Sequence, residues 1–189
     1  LLLAILWALA VPQPDVLISG DGRHVAVRGD DGRLHLMQSG KDAFLIKEWL
    51  AADADSRNAA DPSLTNGISC DDDGCILPLS DGAFVSLALR PEALVDDCDR
   101  AVLIVTSSQA PAGCAATVIG LERLRRRGAM ALRRSGSGFA IESVWPRGFD
   151  RPWSPAARDE SKADSRAAHA AARRAIDATP SETDMQADE

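Results

Sequence analysis

The sequence contains no tyrosine, and aromatic residues make up only 4% of it. A core must therefore be built from Val, Leu, Ile and Ala. Histidine is scarce as well: His24, His35 and His169 are the only three. No G-x-S-x-G, no Walker phosphate loop and no Cys–His nucleophile pattern occurs, so the common sequence grounds for those enzyme classes are missing. Long apolar runs are also missing. The longest, Leu1–Val11, has eleven residues and stops at Pro12, against the roughly 20 that a bilayer span needs.

That opening run has no basic region ahead of it, and Ala8-Leu9-Ala10 is a poor basis for a signal-peptide cleavage site. It reads as the last half of a transmembrane helix; a signal-peptide remnant and a buried first helix are the alternatives. Position 1 is Leu and not Met, so the chain reads as a fragment of a longer protein.

What is present is globular in character. The 189 residues are 46% hydrophobic and 26% charged, enough for one domain and a tail. Net charge is −7 but unevenly spread. From Val118 to Arg151 eight arginines face only Glu122, Glu142 and Asp150, a local balance of about +5. The acidic excess lies around Asp53–Asp99 and after Ser154. Net acidity argues against binding nucleic acid over the whole surface; a local basic face is still compatible with it.

Three strand-like runs open the body, Asp15–Ser19, Arg23–Arg28 and Arg33–Met37, of which the second and third alternate polar and apolar. Gly20-Asp21-Gly22 and Gly29-Asp30-Asp31-Gly32 are turn sequences between them, so a three-stranded meander is expected. Lys41–Ala54 carries Phe44, Leu45, Trp49 and Leu50 at helical spacing. Asp55–Asn66 is polar and reads as a surface loop. Strands are expected at Cys75–Leu79 and Ala83–Leu89, and a short helix from Pro91. The clearest stretch is Asp99–Val144. There Ala101–Val105 reads as a strand, Val118–Arg127 as a helix stopped by Gly128, and Ala129–Arg133 and Gly138–Val144 as two more strands. Trp145, Phe149 and Trp153 mark an irregular segment expected to lie against the domain. From Ser154 the chain has almost no large apolar residue and reads as a disordered tail.

The four cysteines fall in two groups, Cys70 with Cys75 across an Asp-Gly turn and Cys98 with Cys114 around a strand. Two disulfides paired in this way are expected, which suits an oxidising compartment; free buried thiols are the alternative. The spacings lack C-x-x-C and have no nearby His, which argues against zinc. Asp71-Asp72-Asp73-Gly74 lacks the terminal Glu of a calcium loop and reads as a solvated turn. His24 and His35 are placed to be neighbours in the meander, in structural or surface roles. Arg123, Arg125, Arg126, Arg127, Arg133 and Arg134 form a basic cluster. They read either as a solvated face or as a phosphate-contacting surface. Arg125–Arg127 are contiguous and so spread around the helix.

The run from Cys114 to Ala129 resembles the C-terminal region of the ComEC family of competence proteins. So do Ser135–Ile141 and Phe149-Asp150-Arg151-Pro152-Trp153. Asp15–His24 and the Cys70, Cys75 segment resemble the alphaproteobacterial branch. The resemblance spans roughly residues 1 to 153 and rests on the ensemble of these segments.

Members of that family are inner-membrane channel proteins for uptake of single-stranded DNA, and many end in a metallo-β-lactamase-like domain. The resemblance thus implies an α/β fold, a reduced metallo-β-lactamase-like arrangement in which one mixed sheet carries flanking helices. The opening hairpin, Val16–Met37, and the final unit, Ala101–Val144, are similar to that domain, and the middle is shortened. The H-x-H-x-D-H metal motif is absent, and Cys114 stands roughly where a histidine is expected, so no catalytic residue and no metal or other cofactor is carried over. The implied protein is a non-enzymatic domain on the periplasmic side of the inner membrane. Its expected partners are the membrane, the rest of the channel, other competence proteins and single-stranded DNA. A nuclease acting on the non-transported strand and a purely structural domain are the competing readings. Trp145, Phe149 and Trp153 could stack on bases, though packing against the domain is the preferred reading.

Overall fold

A computed structural model of the chain describes residues 12–38, 41–79, 81–136, 138–145 and 153. The chain forms two compact units, Leu1–Pro146 and Arg147–Glu189. Of the second only Trp153 is described, so the fold that follows belongs to the first. The apolar run 1–11, Phe149 and the tail from Ser154 lie outside the described residues.

The opening meander is β1 (Val16–Ile18), β2 (His24–Arg28) and β3 (Leu34–Gln38). Gly22 and Gly32, at φ 70° and 75°, make the two turns that Asp-Gly forecasts. Helix α1 (Ala43–Ala52) follows, its N-terminus capped by the Asp42 carboxylate, which accepts from the Leu45 amide. A single 3-10 turn, Pro62–Thr65, interrupts the polar loop. Next come β4 (Ser69–Cys70), β5 (Gly74–Pro78), β6 (Phe84–Ala88) and α2 (Ala93–Arg100). The last section is β7 (Leu103–Thr106), β8 (Thr117–Gly120), α3 (Leu121–Arg127), β9 (Met130–Ser135) and β10 (Gly138–Ser143).

The class is α/β, but the single mixed sheet expected from the sequence is in fact two five-stranded sheets. One is antiparallel throughout, in the order β10-β9-β1-β2-β3. The other, β4-β5-β6-β7-β8, is antiparallel at one side and parallel across β6, β7 and β8. The physical reason is that β1 pairs on both edges, with β2 and with β9. Val16 faces Leu132 and Ile18 faces Met130. The meander and the final hairpin therefore close into one sheet and leave β5–β8 to form another.

The two sheets meet face to face. Val16, Ile18, Val25, Val27, Met37, Met130 and Leu132 of the first interdigitate with Leu77, Val85, Leu87, Leu103, Val105 and Ile119 of the second. The outer faces are covered separately. Ile46 and Leu50 of α1, with Leu64, pack on Ala26, Leu34 and Leu36. Leu94 and Cys98 of α2 pack on Ala88 and Ile104. The result is a helix–sheet–sheet–helix stack. Strands β2 and β3 are buried on both faces, so their polar–apolar alternation does not mark a solvent side.

Two local expectations are corrected. The helical reading from Val118 starts too early, because Thr117–Gly120 is a strand parallel to β7 and the helix begins at Leu121. The apolar face of α1 is Ile46 and Leu50, and Phe44 points away with 74% of its surface exposed.

Buried ion pairs fix the 53–66 loop to the first sheet. Arg57 pairs with Asp55 at 2.6 Å, each side chain only 6% exposed, and also donates to the Leu34 carbonyl. Arg28 holds Asp53 and donates to the Pro14 and Gly32 carbonyls.

Candidate functional site

Helix α3 bridges the two sheets at one end of the stack. It leaves the second sheet at Gly120 and enters the first at Met130. Leu124 is its one buried residue and plugs the core between the sheets. Gly128 ends it at φ 72°, ψ −162°, donating its N–H to the Leu124 carbonyl at 2.7 Å. Only glycine takes that conformation readily. A Cβ there would also stand 3.1 Å from the Trp145 ring. The β1–β2 turn packs on the same end, because a Cβ at Gly22 would lie 2.9 Å from the Leu124 methyl.

With 100° per residue, Arg123, Arg126 and Arg127 share an arc of about 100° on α3, and Arg125 points roughly the opposite way from Arg127. Arg126 pairs with Glu122 one turn back at 2.7 Å, both well exposed, a contact of little energetic weight. Arg123, Arg125 and Arg127 have no carboxylate partner among the described residues. Three cations in the last turn also suit the negative end of the helix dipole. Arg23, exposed in the β1–β2 turn, lies on this end of the stack and was not picked out from the sequence. Only the turn's packing against α3 reveals it.

Arg133 and Arg134 do not join this surface. They are consecutive in β9 and so point to opposite faces. Arg133 lies on the outer face, pairing with Glu142 and donating to the Pro12 carbonyl at 3.1 Å. Arg134 reaches across to the second sheet and pairs with Asp81 at 2.6 Å. The six-arginine cluster thus separates into a helical group of four and two strand residues engaged elsewhere.

His24 and His35 are buried, which corrects the surface alternative for these two; His169 lies outside the described residues. They are not cross-strand neighbours: His24 faces Gln38 and His35 faces Val27. They also alternate to opposite faces of the sheet, so they cannot share a ligand. His35 has Nε2 3.0 Å from Asp31. His24 has Nδ1 4.0 Å from Asp21, and neither of its ring nitrogens has a hydrogen-bond partner. Partial burial pushes the Asp21 carboxyl up. The Ser19 hydroxyl and the Arg23 amide that donate to it, with His24 and Arg23 beside it, hold it below the usual carboxylate range. Asp71 spends one oxygen on the amides of Asp73 and Gly74, the geometry of a tight turn. Among the described residues no three His, Cys, Asp or Glu side chains are grouped to hold a metal ion.

Two disulfides are formed. Cys70–Cys75 closes the β4–β5 hairpin. Cys98–Cys114 ties α2 to the loop between β7 and β8, where the Ala115 and Ala116 amides also donate to the Cys98 carbonyl. No helix among the described residues is long and apolar enough to cross a membrane. Comparison with protein-family models, curated proteins and solved structures finds no match to this chain.

Proposed function

We propose that this chain is the extracytoplasmic C-terminal domain of a ComEC-like DNA-uptake protein, a metallo-β-lactamase-like frame without hydrolytic function. In this reading it guides the incoming single strand along α3. The observation that carries the reading is the arc of Arg123, Arg126 and Arg127, with Arg23 at the same end of the stack. Further support comes from the segments that carry the family resemblance. The opening meander and the final hairpin are neighbours in one sheet, joined through β1 and β9. Two disulfides suit the periplasmic side of the inner membrane. The rest of the channel and other competence proteins are the partners this reading implies.

The test is binding of a labelled single-stranded oligonucleotide to the full chain and to an Arg123→Ala/Arg126→Ala/Arg127→Ala variant. Salt-sensitive binding that is lost in the variant supports the guiding role. No binding by the unmodified chain leaves a structural domain, and strand cleavage with added divalent metal points to a nuclease.

A further inference from the structure

Helix α3 ends against an aromatic ring. The Trp145 N–H donates to the Arg127 carbonyl at 2.9 Å, beside the bond from the Gly128 N–H to the Leu124 carbonyl. Two of the carbonyls that a helix leaves open at its C-terminus are thereby satisfied. The ring itself lies on Gly128. A Cβ there would stand 3.3, 3.1 and 3.3 Å from Cδ2, Cε3 and Cζ3, three consecutive atoms of the six-membered ring. Near-equal distances to three neighbouring atoms place Gly128 over the face of the ring. An approach from the edge would make one distance much the shortest. Glycine at 128 therefore serves twice: it takes the φ of 72° that stops the helix, and it lets the ring lie flat on the backbone.

Trp145 is only half-buried. Gly128 takes up one face, so the surface still open belongs to the opposite face and the rim. That surface stands at the end of α3 whose last turn carries Arg125, Arg126 and Arg127. Cations beside an open aromatic ring are the two halves of a single-strand site: the arginines take phosphates and the ring takes a base. The dimensions agree. From Arg123 to Gly128 the helix rises about 7.5 Å, the length of about two nucleotides at roughly 3.4 Å each along one stacked strand. Phosphate contacts alone do not tell one polyanion from another. A base on Trp145 would, and the seat on Gly128 holds the ring in place before any ligand arrives.

We propose that Trp145 is a stacking platform for one nucleobase at the end of the α3 arginine arc, so that this surface prefers single-stranded nucleic acid to polyanions without bases. The inference rests on the strand-guiding reading and adds base contact to it.

The test compares, in the full chain, the affinity for a short thymidine oligonucleotide with that for an abasic oligonucleotide of equal length and charge. Stacking predicts that the thymidine strand binds about tenfold tighter. In Trp145→Ala the thymidine strand should fall to the abasic level, with abasic affinity and salt slope unchanged, which a general loss of structure would not produce. Equal affinity of the unmodified chain for the two strands overturns the stacking proposal and leaves the strand-guiding reading standing. So does a preference that survives in Trp145→Ala. Binding of neither strand overturns both. If Trp145→Ala fails to fold, Trp145→Phe decides by fluorescence. Quenching of indole emission by the thymidine strand, absent with the abasic one, should vanish in that variant, and quenching that persists overturns the proposal.

Discussion

Removing the Cys98–Cys114 bridge should cost more stability than removing Cys70–Cys75, and the difference follows from where each sits. Cys98–Cys114 spans a sequence separation of 16 and ties a covering helix to a loop that otherwise depends on a few backbone bonds. Loop-closure entropy gives about 3 kcal/mol for a ring of that size. Cys70–Cys75 spans only 5 and duplicates a hairpin already paired, and the same relation gives about 2 kcal/mol. For a folded unit of roughly 130 residues these correspond to falls in Tm of about 11 and 8 °C. The assay is thermal and urea unfolding, by circular dichroism, of the full chain with each cysteine pair replaced by Ala. Loss of Cys98 also removes a buried side chain packed on Leu94 and Ile104, which widens the gap. The reasoning is refuted if the Cys70/Cys75 variant is the less stable of the two, or if both lose under about 1 kcal/mol.

Other perturbations probe the ion pairs and the α3 stop. Arg57→Met leaves the Asp55 carboxylate buried without its partner and should cost about 3–5 kcal/mol in urea unfolding; a loss no larger than that of a surface substitution would contradict the buried-pair account. The Arg57 side-chain hydrogen bond holds the Asp55 carboxyl below its usual range, despite burial that pushes it up. A depressed carboxylate contributes stability above its unfolded pKa of about 3.9, and that stability is lost as pH falls through the lower folded value. The urea midpoint should therefore drop below about pH 4, and the drop should shrink in Arg57→Met; a midpoint flat down to pH 2.5 would be the contrary result. Gly128→Ala should cost about 1–3 kcal/mol from its backbone conformation, with a change in Trp145 fluorescence as the ring is displaced; unchanged Tm and emission would count against the α3 stop described above.

Local signals in this chain were readable where neighbours in sequence are also neighbours in space. The meander, the final hairpin and both disulfides are of that kind. Pairing between distant segments was not readable: a short apolar run before a Gly-Asp-Gly turn says that Val16–Ile18 is a strand, but not that it lies between β2 and β9. That pairing divides the strands into two sheets. Val118-Ile119-Gly120 reads as part of the helix beside it, although three β-branched residues in a row, Thr117 to Ile119, and a glycine favour a strand ending there. Phe44 and Trp49 attracted attention for their size, but Ile46 and Leu50 fill the seat on Leu34 and Leu36. The basic cluster looked continuous because a list of arginines carries no direction. A helix sends Arg123, Arg126 and Arg127 one way, and a strand sends Arg133 and Arg134 to Glu142 and Asp81.

The most direct test of the central claim is the salt dependence of single-stranded DNA binding, measured on the full chain, on Arg123→Ala/Arg126→Ala/Arg127→Ala and on Arg133→Ala/Arg134→Ala. Each phosphate contact contributes about 0.7 to the slope of log K against log salt for a single strand. The account predicts a slope smaller by about 2 in the α3 variant and unchanged in the β9 variant. Equal slopes in all three proteins, or a loss confined to the β9 variant, would contradict it.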